Sequence, residues 1–573
     1  MKRWILLAGI VVAGVAAIVV SERRKVDTPA SPAALLYLVA DTEQELTRMP
    51  VRFTRMSDAQ EIRIGNETAA MFRGTVPEDK KADIAVIERY LNEVGRKLAS
   101  RAHRRLPYRF HYVRDPSMIN AFALPGGHVY VGAGLLALMD SEDELAGVIG
   151  HEIEHVDHYH CADRAQQEQA LRRIPLGGLV AIPIAVFEAG YSKDQELEAD
   201  REGTRLAVEA GYSANGAIRM FETFDRIYQQ YRQQQEKAES PQDELSQMAM
   251  QTLEGYFRSH PLPSERIAQV QKMIASEGWP ARSERDLAVA YIFWTARAQT
   301  ALKASQYSQA EQLAVRSLKM QPAQFDAQDV LAKAQFAQAN FPAAVSTYRQ
   351  MMEGGAANPA LAESFAMALA AADRRTAAGE FRSWIESVRG EKPRNAEVEQ
   401  AGLSLLSGDA APARTLEAEL QLSSDPRAPE YVGELGWWYY LAGDYEHASQ
   451  LLSQAAQQRP GDLKMWVRVA WAEIEIRRYS DAIQTVNNGV WESGGVYEEH
   501  PRGERAMAQA VAMWQAKETE EALSAFDRAL AGQPEWGNPR WVKALYSPLV
   551  AQSVEDMQAE RERQKKARLA AKQ

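Results

Sequence analysis

The chain has 573 residues, 46% of them hydrophobic and 25% charged. These are the proportions of an ordinary globular protein, and the length predicts two or three domains rather than one core. A net charge of −11 argues against a sequence-independent grip on nucleic acid, which needs a basic face. The single cysteine, Cys161, rules out an internal disulfide and a cysteine-rich zinc site.

The N-terminus has the features of an export signal. Lys2 and Arg3 precede an apolar run from Trp4 to Val20, which is a positive region followed by a hydrophobic one. Residues 1–25 are therefore predicted to be a cleaved signal peptide or a retained membrane anchor, with a buried core helix as the less favoured alternative. Either of the first two places the remainder outside the cytoplasm, soluble or anchored to the membrane by this segment. Residues 26–56 are predicted to be a linker.

Residues 57–280 are predicted to form one α+β domain of helices and a small sheet. Helical apolar spacing from Ile84 to Arg101 predicts an early helix. Extended segments from Tyr108 to Val113, and from Asn120 to Val131 around Pro125-Gly126-Gly127, predict strands and a turn.

The next helix is predicted to begin with a capping signal. Ser141 precedes Glu144 by three residues, the capping-box pattern of a helix N-terminus.

The apolar stretch from Ile174 to Phe187 is too short and too broken by proline to span a membrane. It is predicted to be a mobile loop or hairpin over the active site.

The motif that carries chemistry is His151-Glu152-Ile153-Glu154-His155. Positions i and i+4 share one face of a helix, so both imidazoles can converge on one metal ion. Glu152 then projects toward the side where a metal-bound water would lie. The alternative interpretation is an exposed, charged helix face.

A hydrolytic zinc site needs a third protein ligand on another element. In the segment from Tyr191 to Gly203, Glu196 and Asp200 are four residues apart and share a helix face, whereas Glu198 points roughly 200° away. Glu196 is therefore the predicted third ligand, and Asp200 is predicted to orient a ligating histidine through its other ring nitrogen. A solvated acidic face is the alternative.

These residues suggest hydrolysis of peptide bonds with one Zn²⁺ per chain. Glu152 would act as general base and acid, and Asp200 would support a ligand and help to stabilise the tetrahedral intermediate. An extended substrate would pair along the strand near Asn120 to Val131.

Other polar residues near the motif receive lesser roles. His128 is predicted to be a substrate-groove residue at most, and His158 and His160 are predicted to lie at the surface. Cys161 has no base visible in the sequence and is predicted to be inert.

Residues 285–545 contain a repeat. The pairs Ala310 and Ala344, and Ala448 and Ala482, are each 34 residues apart. An aromatic residue precedes each of these four alanines by three positions: Tyr307, Phe341, Tyr445 and Tyr479. A proline follows Ala310, Ala448 and Ala522 by twelve positions: Pro322, Pro460 and Pro534. The pattern predicts an all-α tetratricopeptide-repeat solenoid with a concave binding face. The segment from Pro359 to Asp425 fits poorly and is predicted to hold degenerate copies. Residues 546–573 are predicted to be a charged tail, in which Asp556 to Gln573 form a solvated, fraying helix rather than a binding site.

The combination of His151 to His155 with Glu196 to Asp200 resembles the metallopeptidase family of HtpX and the CAAX prenyl protease. Segments Ser57 to Gly65 and Asn120 to His128 look like other segments of that family, and the match covers roughly residues 50 to 275. HtpX and the prenyl proteases are multi-span membrane proteins, and this chain lacks those spans. With the repeats and the export signal, the architecture is most similar to the beta-barrel assembly-enhancing group.

That resemblance implies a zinc metalloendopeptidase acting in outer-membrane protein quality control. The implied partners are unfolded or stalled outer-membrane proteins and their assembly machinery, bound through the repeats. It also implies that His260, which precedes Pro261, is an extra zinc ligand that keeps the enzyme latent. A helix-start histidine with no metal role is the alternative.

Two other functions stay open. The chain could be a repeat-based adaptor or chaperone with a latent metal site. It could instead cleave a membrane-bound peptide, as the prenyl proteases do.

Overall fold

The computed structural model describes residues 56–71, 81–172, 191–235, 263–353, 359–387, 394–492 and 501–570. The N-terminal segment of residues 1–25, nearly all of the predicted linker, the apolar stretch 174–187 and His260 lie outside these ranges. None of the described helices combines the length and the apolar character that a membrane span requires.

The chain divides into two compact units between Ala290 and Tyr291, slightly later than the boundary predicted at residues 280–285. The described elements of the first unit are α1 (Asp58–Met71), α2 (Lys81–Ala99), β1 (Arg109–Val113), β2 (Ala121–Leu124), β3 (His128–Gly132), α3 (Ala133–Leu136), α4 (Glu142–Asp157), α5 (His160–Arg172), α6 (Lys193–Glu209), α7 (Asn215–Gln235) and α8 (Pro263–Glu277).

The sheet of the first unit has the strand order β1-β3-β2. The central strand β3 pairs in parallel with β1 and antiparallel with β2. The β2–β3 turn needs Gly126 and Gly127, whose φ angles are 76° and 95°. Glu61 of α1 fixes this turn by accepting a hydrogen bond from the Gly126 N–H at 3.0 Å. The predicted α+β class with a small sheet is confirmed.

Helix α4 is the centre of the first unit, and every residue from Asp143 to Asp157 is buried. Ser141 caps it by accepting a hydrogen bond from the Glu144 N–H at 3.1 Å. The predicted capping box is only half formed, because the Glu144 carboxylate accepts from the Asp140 N–H instead.

Residues that follow the predicted domain boundary hold the start of α4 in place. Asp143 accepts hydrogen bonds from the backbone N–H groups of Ser213 at 2.6 Å and Arg285 at 2.8 Å. The Glu142 N–H donates in return to the Arg285 carbonyl oxygen at 2.9 Å. The segment around Arg285 is therefore part of the first unit rather than a free connection.

The second unit is all α-helical among its described residues. Its elements are α9 (Ala290–Lys303), α10 (Tyr307–Met320), α11 (Phe325–Ala337), α12 (Phe341–Glu353), α13 (Pro359–Ala372), α14 (Ala377–Ser387), α15 (Arg394–Leu406), α16 (Ala411–Gln421), α17 (Ala428–Ala442), α18 (Tyr445–Gln458), α19 (Leu463–Glu475), α20 (Tyr479–Glu492), α21 (Pro501–Gln515), α22 (Thr519–Gly532), a 3₁₀ turn (Pro534–Gly537), α23 (Pro539–Leu545) and α24 (Pro548–Ala570).

The repeat prediction is confirmed by helix boundaries and burial. Helices α10, α12, α18 and α20 begin at the four predicted aromatic residues. The alanines three positions later are fully packed between helices: Ala310, Ala344, Ala448 and Ala482. The segment predicted to hold degenerate copies forms further helix pairs, and α14 and α16 begin 34 residues apart, at Ala377 and Ala411.

The turns inside the repeats share one backbone conformation. A residue with positive φ lies two positions before α10, α12, α18, α20 and α22: Ser305, Ala339, Gly443, Arg477 and Lys517. Such a left-handed residue ends a helix by satisfying its last carbonyl groups. Only one of these residues is glycine, so the signal is weak in the sequence.

The segment from residue 546 is not a separate charged tail, because its first residues pack onto the repeats, and that boundary is corrected. Tyr546 is buried, its ring centroid lies 5.1 Å from that of Trp471, and its hydroxyl donates to Glu504 at 3.1 Å. Val550, Val554 and Met557 on the first turns of α24 are buried as well. The apolar residues at every third or fourth position pack onto the repeats, and mainly the later turns are exposed.

Replacing Tyr546 tests this packing. Tyr546→Ala should lower the free energy of unfolding by about 3–5 kcal/mol because a buried ring is lost. Tyr546→Phe should cost only about 1 kcal/mol, the loss of one hydrogen bond. Chemical unfolding followed by tryptophan fluorescence measures this, since ten of the twelve tryptophans belong to the second unit. Equal losses in the two variants would show that ring packing is not the stabilising contact.

Candidate metal centre

The two helices that carry the predicted ligands touch through glycine. A Cβ atom on Gly203 of α6 would lie 2.6 Å from the His151 backbone nitrogen, and one on Gly150 of α4 would lie 2.7 Å from the Gly203 carbonyl oxygen. Any larger residue at either position would push the helices apart. This contact brings Glu196 and Asp200 of α6 against the histidines of α4.

Helix α6 begins at a defined residue, which sets the position of its acidic side chains. Ser192 accepts a hydrogen bond from the Gln195 N–H at 3.3 Å, and Gln195 accepts one from the Ser192 N–H at 3.1 Å. This reciprocal pair is a complete capping box. Glu196 follows directly, in the first turn of the helix.

The structure brings the three predicted ligands together. The Nε2 atoms of His151 and His155 are 3.0 Å apart. Oxygens of Glu196 lie 3.4 Å from His151 Nε2 and 3.6 Å from His155 Nε2. All three residues are buried, and their ligand atoms lie within 4.8 Å of one another. Two imidazoles and one carboxylate form the donor set of hydrolytic metal sites that keep one position open for water. The residues therefore fit a metal ion.

Asp200 lies behind His151. Its Oδ1 is 2.8 Å from His151 Nδ1, and Arg266 of α8 donates to both of its oxygens, at 2.6 and 2.7 Å. Burial raises the pKa of Asp200, but the Arg266 guanidinium and His151 reverse this and hold the pKa below its usual value. Burial likewise lowers the pKa of His151, and hydrogen bonds to Asp200 and Glu196 outweigh it and raise the pKa to about 10.

Arg266 was missed as a functional residue by sequence reasoning. Its side chain is buried, and its two hydrogen bonds to Asp200 make it the counter-charge of that carboxylate. A buried carboxylate requires a cation or several hydrogen-bond donors as partners. The sequence therefore indicated only that Asp200 would need such a partner. Nothing in the sequence identified which arginine would meet this need.

The second histidine predicted to bind the metal has different neighbours. His155 Nδ1 is 2.9 Å from His160 Nδ1, and the Tyr191 ring stacks on the His155 ring at a centroid distance of 4.0 Å. The Tyr191 N–H donates to Glu196 at 3.1 Å. Tyr191 therefore contacts two of the three ligands, and sequence reasoning gave it no role.

The prediction that His160 lies at the surface is wrong. Helix α4 ends at Asp157, and the chain turns at Tyr159, whose φ is 63°. This left-handed residue folds His160 back beneath His155, where it is buried. His158 is partly exposed, and the Glu154 carboxylate, 3.0 Å from His158 Nδ1, raises the pKa of His158 to about 9.

Glu152 is buried beside the ligands and faces the sheet. Burial raises its pKa to about 7, and its carboxylate accepts a hydrogen bond from the Ala123 N–H of β2. Among the described residues β2 pairs only with β3, so Glu152 lies at an edge of the sheet. The roles of Glu152 and Asp200 in hydrolysis stay predictions.

His128 does not join the metal ligands. Its ring nitrogens lie 3.0 Å from His111 Nε2 and 3.0 Å from Asn66 Oδ1. Together with Tyr130 these side chains line a cavity of about 800 Å³ between α1, α2 and strands β1 and β3. His128 lies apart from the metal centre because β3 is the central strand and the His128 side chain contacts α1.

Cys161 is buried, and its sulfur lies 3.1 Å from the Tyr191 hydroxyl oxygen. Burial raises the pKa of the thiol well above its ordinary value, so the thiolate is disfavoured.

Comparison with known proteins identifies the class of this unit. Residues 86–274 match the profile of the family described as Peptidase family M48, so the chain contains a peptidase M48 domain. Members of this family are metal-dependent peptidases, which agrees with the His151, His155 and Glu196 cluster.

Several proteins with curated names are similar to the chain. A "Putative beta-barrel assembly-enhancing protease" of Vibrio cholerae serotype O1 is 33% identical over 231 residues, 36% of this chain and 43% of that protein. The beta-barrel assembly-enhancing protease of Escherichia coli (strain K12) is 29% identical over 180 residues, 27% of this chain and 36% of that protein. The mitochondrial metalloendopeptidase OMA1 of Schizosaccharomyces pombe is 32% identical over 130 residues, 21% of this chain and 38% of that protein. The matched part thus spans less than half of each relative.

Among solved structures, a tetratricopeptide repeat protein from Parabacteroides merdae aligns with 47% of this chain and 98% of its own chain, at 14% identity and a TM-score of 0.29.

Replacing Gly203 tests the helix crossing. Gly203→Ala should weaken metal binding at least tenfold, because the new methyl group separates Glu196 from the histidines, and overpacking should cost about 1–3 kcal/mol of stability. Titration calorimetry and thermal unfolding measure the two effects. Gly379→Ala is the matched control, since its Cβ would have no atom within 4 Å. Unchanged metal binding in Gly203→Ala would contradict the role of the crossing.

Proposed function

We propose that this chain is a zinc-dependent metalloendopeptidase. The observation that carries the proposal is the convergence of His151, His155 and Glu196, with Glu152 beside them at the edge strand β2. The match to peptidase family M48 supports the same class. A purely structural metal site would have no use for a buried carboxylate such as Glu152 next to its ligands.

His151, His155 and Glu196 would hold the zinc ion. When bound, zinc supplies Lewis-acid chemistry, which polarises the scissile carbonyl and makes water more acidic. Glu152 takes a proton from the attacking water and passes it to the nitrogen of the leaving amine. Burial disfavours the charged form of this carboxyl and raises its pKa, which suits a group that must both accept and release a proton.

Asp200 acts through His151 rather than on the substrate. One Asp200 oxygen lies 2.8 Å from His151 Nδ1, and both Asp200 oxygens accept hydrogen bonds from Arg266. Asp200 therefore holds the imidazole with Nε2 facing Glu196. The earlier idea that Asp200 stabilises the tetrahedral intermediate is replaced by this positioning role. A carboxylate is also unsuited to stabilising a developing negative charge.

The substrate would bind as an added strand on β2. The sequence suggested pairing anywhere from Asn120 to Val131, but β3 is paired on both sides, so only Ala121–Leu124 offers an edge there. Backbone pairing selects an extended conformation more than a sequence. Such a site suits unfolded segments of many proteins.

For the cellular role, we propose protein quality control in the cell envelope, with the chain located in the periplasm. The names of the Vibrio cholerae and Escherichia coli relatives support this role. Substrates would be unfolded or stalled outer-membrane proteins, and the repeats of the second unit would contact them or their assembly machinery. In this proposal His260 is the ligand that keeps the resting enzyme latent.

The test uses residues 26–573 in a His260→Ala background, so that a latent state does not hide activity. Glu152→Gln should lower cleavage of an unfolded outer-membrane protein by at least a hundredfold while zinc content stays at one per chain. Glu154→Gln is the matched control, because Glu154 lies on the same helix but its carboxylate is paired with His158. Cleavage rates and zinc content are measured on the same samples.

Two outcomes would contradict the proposal. Cleavage retained by zinc-loaded Glu152→Gln would remove Glu152 as the base. No cleavage by the His260→Ala parent, with one zinc bound, would favour a repeat-based adaptor with a latent metal site.

A further inference from the structure

His155 is the first link in a chain of contacts that leads away from the metal centre. Its Nδ1 atom lies 2.9 Å from His160 Nδ1, and His160 Nε2 lies 3.3 Å from an oxygen of Glu198. His155 and His160 are buried, whereas the Glu198 side chain is 38% exposed. The chain therefore runs from the buried metal centre to a carboxylate at the surface.

The direction of the hydrogen bonds follows from the acceptor at the end. Because a carboxylate only accepts hydrogen bonds, the 3.3 Å contact with Glu198 favours the tautomer of His160 that carries its hydrogen on Nε2. The Nδ1 of neutral His160 is then an acceptor, so His155 Nδ1 is the donor in the contact between the two rings. His155 Nε2 is left with its lone pair, and this atom faces His151 and Glu196.

We propose that His160 is a positioning residue which, together with Glu198, holds His155 in the tautomer and orientation that bind the metal ion. The proposal rests on the function proposed above. It gives His155 the support that Asp200 gives His151, through an imidazole instead of a carboxylate.

The choice of an imidazole has an electrostatic reason. Glu152, Glu196 and Asp200 already bring three buried carboxyl groups together, and Arg266 is bonded to one of them. Another buried carboxylate behind His155 would add negative charge at a high desolvation cost. A neutral imidazole accepts the same hydrogen bond and passes it to Glu198, where water contributes to solvation.

The first experiment compares His160→Leu with His160→Asn. Asparagine places its Oδ1 near the position of the lost Nδ1 and can accept from His155, whereas leucine fills space without accepting. Zinc affinity is measured by competition with a chromophoric chelator, on the full chain without residues 1–25. His160→Leu should bind zinc 10–100-fold more weakly, and His160→Asn should recover most of this loss.

Two further variants keep the test independent of folding defects. Glu198→Ala, at a partly exposed position, should weaken zinc binding several-fold. His447→Leu removes a histidine of the second unit whose ring contacts Glu417, and it should leave zinc affinity within twofold of wild type. At saturating zinc, His160→Leu should lower kcat with KM unchanged, because the substrate edge on β2 is untouched.

The outcomes separate this inference from the proposed function. Wild-type zinc affinity in both His160 variants would overturn the positioning role, and so would equal losses in both variants that follow their thermal stability. Failure of the wild-type chain to bind zinc would instead overturn the proposed function, because the affinity measurement requires no catalysis.

Discussion

The close approach of two helix backbones at Gly150 and Gly203 is the constraint on which the metal centre depends. Because neither residue has a side chain, α4 and α6 meet nearly backbone to backbone. His151 and His155, one and five residues from Gly150 on α4, then point into the same space as Asp200 and Glu196, three and seven residues from Gly203 on α6. A side chain at either glycine would separate the donors by more than a metal ion can span.

Charge is the second constraint, because the centre is buried. Glu152, Glu196 and Asp200 are all removed from water, and each has a different source of compensation. Asp200 is paired with Arg266, and Glu196 contacts the two imidazoles and accepts a hydrogen bond from the Tyr191 N–H. Glu152 interacts with the Ala123 N–H, and its raised pKa favours the neutral form. A divalent cation held by the histidines and Glu196 would be the largest positive charge in the site. The arrangement is thus electrostatically matched to a metal ion.

Local periodicity explains how much could be predicted from the sequence. His151, His155, Glu196 and Asp200 follow from the four-residue spacing of a helix, and the repeat follows from its 34-residue period. Arg266 and His160 depend on contacts that have no local signature: Arg266 comes from a helix 66 residues beyond Asp200, and His160 is turned inward by a left-handed residue. The helix pair at Ala377 and Ala411 was less visible because alanine replaces the aromatic residue at the helix start. The packing of α24 was missed because charged residues dominate its composition.

The most direct test of this account is the position of the metal ion itself. Crystals of the full chain without residues 1–25, grown with zinc, would give an anomalous difference map at the zinc absorption edge. The account predicts one peak per chain at about 2.0–2.2 Å from His151 Nε2, His155 Nε2 and an oxygen of Glu196, with Asp200 still bonded to His151 Nδ1. A peak elsewhere, or ligation of the ion through Nδ1 of either histidine, would contradict it.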